Sequence, residues 1–229
     1  IEKYRAALSI SHRSRDRLAL AEALLGVGRL NEASVYLREL IRENPGSGPY
    51  NLGLARIASQ QGRLPESVEH YRRAIYGSWP EGPADHLIEA RIELVETLGR
   101  SEQKAQAQAE LLLILAEMPE ERSIRNRVGQ LLLEYGLPGE AAGVFKAVLK
   151  EFPENGDAYG GLGSAELARE NYQKAQDAFR SALRLNPGNS LYQKRLHLTE
   201  QVLALDPTLR GLKRKERYER SRKLLEVSL

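Results

Sequence analysis

The sequence predicts an all-α fold, an α-solenoid array of antiparallel helix hairpins, and three observations carry that prediction. Residues of matching size recur 34 positions apart: Gly28 and Gly62, Ala33 and Ser67, Leu37 and Tyr71, then Ala107, Ala141 and Ala175, Leu111, Phe145 and Phe179, and Pro119, Pro153 and Pro187. Within each such unit the apolar residues step by three and four, which is the helical period. Each unit also breaks twice, once near a glycine and once near a proline, as a pair of helices requires.

The elements follow in order. Residues 1–13 read as the second helix of a truncated upstream unit, because Tyr4-Arg5-Ala6-Ala7-Leu8 repeats the texture of Tyr71-Arg72-Arg73-Ala74-Ile75. Five units are expected at 14–47, 48–81, 82–120, 121–154 and 155–188. Their helix pairs fall at 14–28 and 31–44, 48–62 and 65–77, 84–98 and 101–117, 121–135 and 138–151, and 155–169 and 172–185. Gly28, Gly62, Gly99 and Gly136 stand where first helices stop, a position that favours left-handed backbone and hence glycine. Pro65 and Pro138 open second helices, where a missing N–H costs nothing. Asn44-Pro45, Met118-Pro119, Phe152-Pro153 and Asn186-Pro187 end them, since the residue before proline is pushed out of the helical region. The step from Tyr71 to Leu111 is 40, so the third unit carries six extra residues; equal spacings of 37 on either side of Gly99 place three before it and three after. Residues 189–229 read as a basic, capping helix pair, near 190–205 and 208–228, with Asp206-Pro207 supplying the N-cap and first-turn proline of the last helix.

Composition narrows the class. The 229 residues include 34 Lys and Arg against 31 Asp and Glu, a net charge of +3, with 41% hydrophobic residues, as in a soluble, foldable chain. There is no Cys, which excludes disulfides, thiolate nucleophiles and Cys-ligated metals but leaves both cytoplasm and periplasm open. The longest apolar run, Leu111 to Ala116, falls far short of the roughly 20 residues of a spanning helix, so no membrane span is expected. The chain does not open with Met and starts inside an amphipathic stretch, so it is expected to be a piece of a longer protein.

The residue pattern resembles the tetratricopeptide repeat family, whose 34-residue hairpins carry W-x2-L-G-x2-Y, then A-x3-F, then A and P. Residues 155–188 match best, with Tyr159, Leu162-Gly163, Ala175, Phe179, Ala182 and Pro187 in order and Glu166 in place of the aromatic. Val128-Gly129, Ala141, Phe145 and Pro153 follow the pattern, as do Ala33, Leu37 and Pro45, whereas the third unit matches only at Ala107, Leu111 and Pro119. Small residues let helices approach closely, and Leu37, Tyr71, Phe145 and Phe179 fill the gaps between hairpins. The resemblance implies a right-handed superhelix whose concave face binds another polypeptide without catalysis. Some members grip a C-terminal carboxylate with Lys, Asn and Arg from three successive units. Here the matching positions read Leu18, Glu22 and Leu52, Arg56, so that clamp is not present.

Catalytic machinery is absent from the sequence. His12, His70, His86 and His197 lie in different units without a nucleophile pattern, and no G-x-S-x-G, H-E-x-x-H or Walker motif occurs. Ser101-x-x-Lys104 lacks the companion motifs of acylating enzymes and reads as a helix N-cap. Gly160-Gly161-Leu162-Gly163 does not follow a strand, as a phosphate loop must, so it reads as close packing, with Gly160 leaving room for a partner's backbone. His86, Glu89, Glu93 and Glu96 share one helix face, but a di-metal site needs a second such set and none exists; no cofactor is expected. From Thr208 to Leu229 eight basic residues (Arg210, Lys213, Arg214, Lys215, Arg217, Arg220, Arg222, Lys223) face three acidic ones, a net of +5. A Leu209, Leu212, Leu224, Leu225 edge favours a capping helix over nucleic-acid binding. Trp79 reads equally as a packing plug or a binding hot spot.

The leading reading is an interaction scaffold. The candidate groove residues lie on first helices beside the packing positions: Leu52, Arg56, Glu89, Glu93, Glu96, Asn126, Gln130, Gly160 and Ser164, with Lys194 on the following helix. Glu89, Glu93 and Glu96 repel one another, with Arg91 and Arg100 expected to point elsewhere, so a partner with a basic segment is expected. The alternatives are a substrate-recruiting or regulatory arm of a larger enzyme such as a glycosyltransferase, and anionic polymer or nucleic-acid binding through the basic C-terminal helix.

Overall fold

The computed structural model describes residues 1–3, 13–80, 84–209 and 211–228, with the backbone alone at 84, 85 and 224–228. Residues 4–12 of the expected upstream helix, His12 among them, Arg210 and the side chains of Leu224 and Leu225 lie outside the described residues. Among those residues the secondary structure is twelve helices, with one isolated bridge between Ser47 and Ser78 and no strand. The chain divides into two compact units, Ile1–Glu117 and Met118–Leu229.

The first unit holds α1 (Ser14–Gly26), α2 (Leu30–Glu43), α3 (Gly48–Gln60), α4 (Leu64–Ile75), α5 (Ala84–Arg100) and α6 (Lys104–Ala116). Each helix packs on the next in sequence, and α1 also lies against α3. Leu20, Leu24, Leu37, Leu40 and Ile57 form the core of the first two pairs. Gly53 admits Leu37: a Cβ there would stand 2.7 Å from Leu37 Cδ1.

The second unit holds α7 (Arg122–Glu134), α8 (Pro138–Glu151), α9 (Gly156–Ala168), α10 (Tyr172–Leu185), α11 (Ser190–Leu205) and α12 (Arg214–Ser228). Here the gaps between helices are filled by rings. Phe145 of α8, fully buried, sits between Gly129 of α7 and Gly161 of α9, whose hypothetical Cβ atoms would stand 2.6 and 2.3 Å from its Cζ. Phe179 of α10 is likewise buried against Gly163. The glycines that weaken helix α9 thereby let two rings enter it.

Helix ends follow from local chemistry. Asn44, Phe152 and Asn186 precede prolines and take ψ of 87°, 75° and 77°, which stops α2, α8 and α10. Side chains six residues beyond Pro45, Pro119 and Pro187 tie the proline carbonyl to the next helix: Asn51 Nδ2 to Pro45 O (3.0 Å), Arg125 Nε to Pro119 O (2.7 Å) and Gln193 Nε2 to Pro187 O (2.8 Å). Polar residues at this spacing were the available signal.

The first helix of each of the five repeat pairs closes by one motif. The backbone is left-handed at Gly28, Gly62, Glu102, Gly136 and Glu170. In each case the N–H of that residue reaches back three residues and the next N–H five, as Gly28 N to Leu25 O (3.0 Å) and Arg29 N to Leu24 O (2.9 Å); this is the Schellman closure. The third pair therefore turns at Glu102, and Gly99 lies inside α5, contrary to the sequence expectation. All six extra residues precede Glu102, in a longer loop and a 17-residue α5. Glutamate gives no left-handed signal, so the glycine ruler slipped by three residues.

Two further expectations are corrected. Ser101 caps nothing: its Oγ donates to Thr97 O at 2.9 Å, at the end of α5, and Gln103 precedes α6. Asp206 ends α11 and accepts from Thr208 N and Oγ1 at 2.8 and 2.7 Å, while α12 begins only at Arg214. There Glu216 accepts from Lys213 N at 2.8 Å, half of a capping box.

Glu102 and Glu170, at φ of 58° and 61°, carry the strain of a Cβ in left-handed backbone. Glu170→Gly is expected to stabilise the chain by about 0.5–1 kcal/mol, strain relief exceeding the added unfolded-state entropy. Urea midpoints read by circular dichroism test this; an unchanged or lower midpoint contradicts it.

Candidate functional site

In the first unit, α1, α3 and the start of α5 wall an open groove of about 810 Å3. From α1 come Arg15, Leu18, Ala19, Glu22 and Leu25; from α3 come Tyr50, Leu52, Gly53 and Arg56; His86 and Glu89 come from α5. The connecting segment adds Ser78, Trp79 and Pro80.

This segment is fixed before any partner arrives. Gly48 N donates to Ser78 O at 2.9 Å and Ser78 N to Gly46 O at 2.8 Å, joining the two loops. Trp79 Nε1 donates to Ala74 O at 3.0 Å, and its ring stacks on His86 with centroids 5.1 Å apart. Gly48 makes the seat, since a Cβ there would stand 2.3 Å from the indole. Trp79 is thus a packing plug that also forms a groove wall. Beneath the loop, buried Asn51 donates to Pro45 O and Ser47 O, so its Oδ1 faces His70 Nδ1 at 3.0 Å and His70 must donate there. Burial pushes the His70 pKa down, in keeping with a neutral ring.

The acidic stripe of α5 is partly neutralised by the chain itself. Arg56 holds Glu93 with two nitrogens, Nε to Oε2 at 2.9 Å and Nη2 to Oε1 at 2.7 Å, and Tyr71 OH donates to Oε2 at 2.8 Å. The expectation that nothing local offsets Glu93 is therefore corrected: the cation comes from α3, 37 residues earlier, where helical spacing could not reveal it. The pairing with Glu93 raises the Arg56 pKa, and burial together with Glu93 raises that of Tyr71. Glu89 stands 4.0 Å from Arg56 with its side chain 55% exposed. Glu96 is half-buried, lies outside the groove lining and has an interaction of its own. Arg91 turns into the unit to pair with Glu110 at 2.9 Å.

Glu22, which the sequence placed only at a clamp position, faces the groove. Burial by the groove walls pushes its carboxyl pKa up, against the opposing pull of Arg56 and His86. A carboxyl raised in the folded state binds protons more readily there than in the unfolded chain, so its ionisation costs stability above the folded pKa and that cost disappears as pH falls. Glu22→Gln is accordingly expected to raise the thermal midpoint at pH 7, with the gain vanishing below about pH 4, near the unfolded carboxyl value. A gain independent of pH contradicts this.

Of the candidates, Leu52, Arg56 and Glu89 line the groove together and Glu93 braces it. Glu96 lies on α5 of the same unit, outside the groove lining, and the remaining five lie on the second unit. Gln130 and Lys194 are exposed on α7 and α11. Asn126 is half-buried, its Oδ1 accepting no hydrogen bond from a described residue. Ser164 donates to Gly160 O at 2.7 Å and is itself bonded by Arg195. Gly160 leaves no room for a partner: it is buried under Tyr192, to whose Cζ a Cβ would stand 2.1 Å. Its glycine admits the chain's own ring from α11, 32 residues onward.

Glu166, in the family's aromatic position, is 1% exposed and bound by Lys146 (2.8 Å), Asn171 (2.7 Å) and Arg169 (3.2 Å). Burial raises its pKa, but these donors outweigh it and leave the carboxyl below its ordinary value. In the tail, Arg220 Nη1 donates to Leu203 O and Asp206 O at 2.6 and 3.2 Å, capping the end of α11. Among the described residues no three His, Asp or Glu side chains are placed to hold a metal ion, and no helix is long and apolar enough to cross a membrane.

Tandem helix pairs closed by one recurring turn define a helical-repeat protein of the all-α solenoid class. The chain belongs to the tetratricopeptide repeat family, whose model matches residues 18–85 and 127–190. Members of this family typically mediate protein–protein interaction and are generally non-catalytic. No curated protein sequence matches the chain. Among solved structures, YrrB, a TPR protein with an unusual peptide-binding site, is 18% identical, with 86% of this chain and 97% of that one covered and a TM-score of 0.66. A tetratricopeptide repeat protein from Parabacteroides merdae is 16% identical, with 94% and 80% covered and a TM-score of 0.65. MamA is 15% identical, with 79% and 95% covered and a TM-score of 0.59. At these identities the likeness is one of fold.

Proposed function

We propose that the chain is a non-catalytic interaction module that holds a segment of a partner polypeptide in the groove of its first unit. The groove itself carries the reading: about 810 Å3, open, and lined by first-helix side chains around Leu18, Leu52 and Trp79. That volume accommodates several peptide residues, and the tied-down Trp79 wall lowers the ordering cost of binding. The peptide-binding site of YrrB, a protein of the same fold, supports the reading by analogy.

The test is selection of peptides from a randomised phage library on the 229-residue chain, with affinities measured by calorimetry on wild type and Ala19→Phe. Ala19 is a half-buried groove residue, so a phenyl ring there fills the groove. Loss of at least tenfold in affinity with an unchanged circular dichroism spectrum is expected. Equal affinity for the two proteins removes the groove as the site.

A further inference from the structure

The groove is not neutral in what it leaves unsatisfied. Its central cation, Arg56, is held by Glu93 through two nitrogens, and Arg15 at the rim already has an interaction of its own. The carboxylates differ. Glu22 has no hydrogen-bond donor among the described residues, and the one ion-pair contact of Glu89 is the 4.0 Å approach of Arg56. Both line the same groove as Leu18, Leu52 and the Trp79 wall.

We infer that the partner segment carries a Lys or Arg side chain seated between Glu22 and Glu89, with a bulky apolar neighbour against Leu18, Leu52 and Trp79. This rests on the groove being the partner site. A cation supplies the donors that both carboxylates lack, and a charge-assisted hydrogen bond in a partly desolvated groove is among the stronger polar contacts available. An acidic segment meets the opposite situation. It would have to pull Arg56 from its bidentate partner while standing beside Glu22 and Glu89. The burial that raises the Glu22 pKa marks this carboxylate as the one that gains most from a cation.

The peptides selected on the wild-type chain provide the test, followed through the emission of Trp79, the one tryptophan in the chain, and by calorimetry. Enriched sequences are expected to carry Lys or Arg beside Leu, Ile or Phe. Their affinity is expected to fall at least tenfold on Glu22→Gln/Glu89→Gln and on exchange of the basic residue for Glu, with a shallower salt dependence for the double variant. Neither substitution removes a hydrogen bond of the fold, and thermal melts confirm that the variant is intact. If peptides blocked by Ala19→Phe lack basic residues, or bind the double variant with unchanged affinity, the inference is overturned while the groove stands as the site. If no peptide enriches, or all bind Ala19→Phe as well as wild type, both fall.

Discussion

Phe145→Ala is expected to destabilise the second unit by about 3–5 kcal/mol. The ring is fully buried on α8 and enters a slot whose two walls are glycines, Gly129 and Gly161. Neither wall has a side chain that could swing into the vacated volume. Collapse would require α7 and α9 to move as bodies, so most of the cavity persists and the cost lies in the upper part of the usual range. Urea denaturation read at 222 nm measures it, with Phe145→Leu as a milder control. A loss below about 1.5 kcal/mol for the alanine variant would show that the helices close the gap.

Gly163→Leu is expected to cost about 1–3 kcal/mol or more, whereas Gly139→Leu is expected to be neutral or slightly stabilising. Both glycines are helical, on α9 and α8, so backbone propensity alone predicts a gain for each. Packing separates them. A Cβ at position 163 stands 2.7 Å from Phe179 Cδ1 and Cε1, and Phe179 is itself fully buried, so the ring cannot retreat. A Cβ at position 139 meets no atom within 4 Å. Equal midpoints for the two variants would show that α9 and α10 do not approach as closely as described.

The architecture was legible because its determinants are periodic. Gly28 and Gly62, Pro119, Pro153 and Pro187, and the ring positions Phe145 and Phe179 recur at 34 residues, so most of the helix pairs could be read from spacing alone. Where a required conformation is taken by a residue that does not advertise it, the reading slipped: Glu102 turns the third pair, and Gly99 drew attention three residues too early. The groove was less legible, because its determinants are pairings between positions distant in sequence. Arg56 meets Glu93 37 residues on, and Trp79 owes its seat to Gly48. Composition and period carry no record of which residues face each other across helices. Glu22 shows the same limit: its spacing marks a clamp position, but only the walls that desolvate it distinguish it from a solvated glutamate.

The recurring closure between the helices of each pair bears on how the chain reaches this state. With each turn sealed within six residues and helices packing chiefly on their immediate neighbours, almost no long loop has to be closed before contacts form. The entropic barrier of folding is then low and is met in small steps. Within each unit a hairpin needs only its immediate neighbour to complete its packing, as Phe145 needs Gly161 of the following pair, so folding can follow synthesis pair by pair. Within each unit, a chain built this way has only the open face of its newest hairpin still to cover as synthesis proceeds.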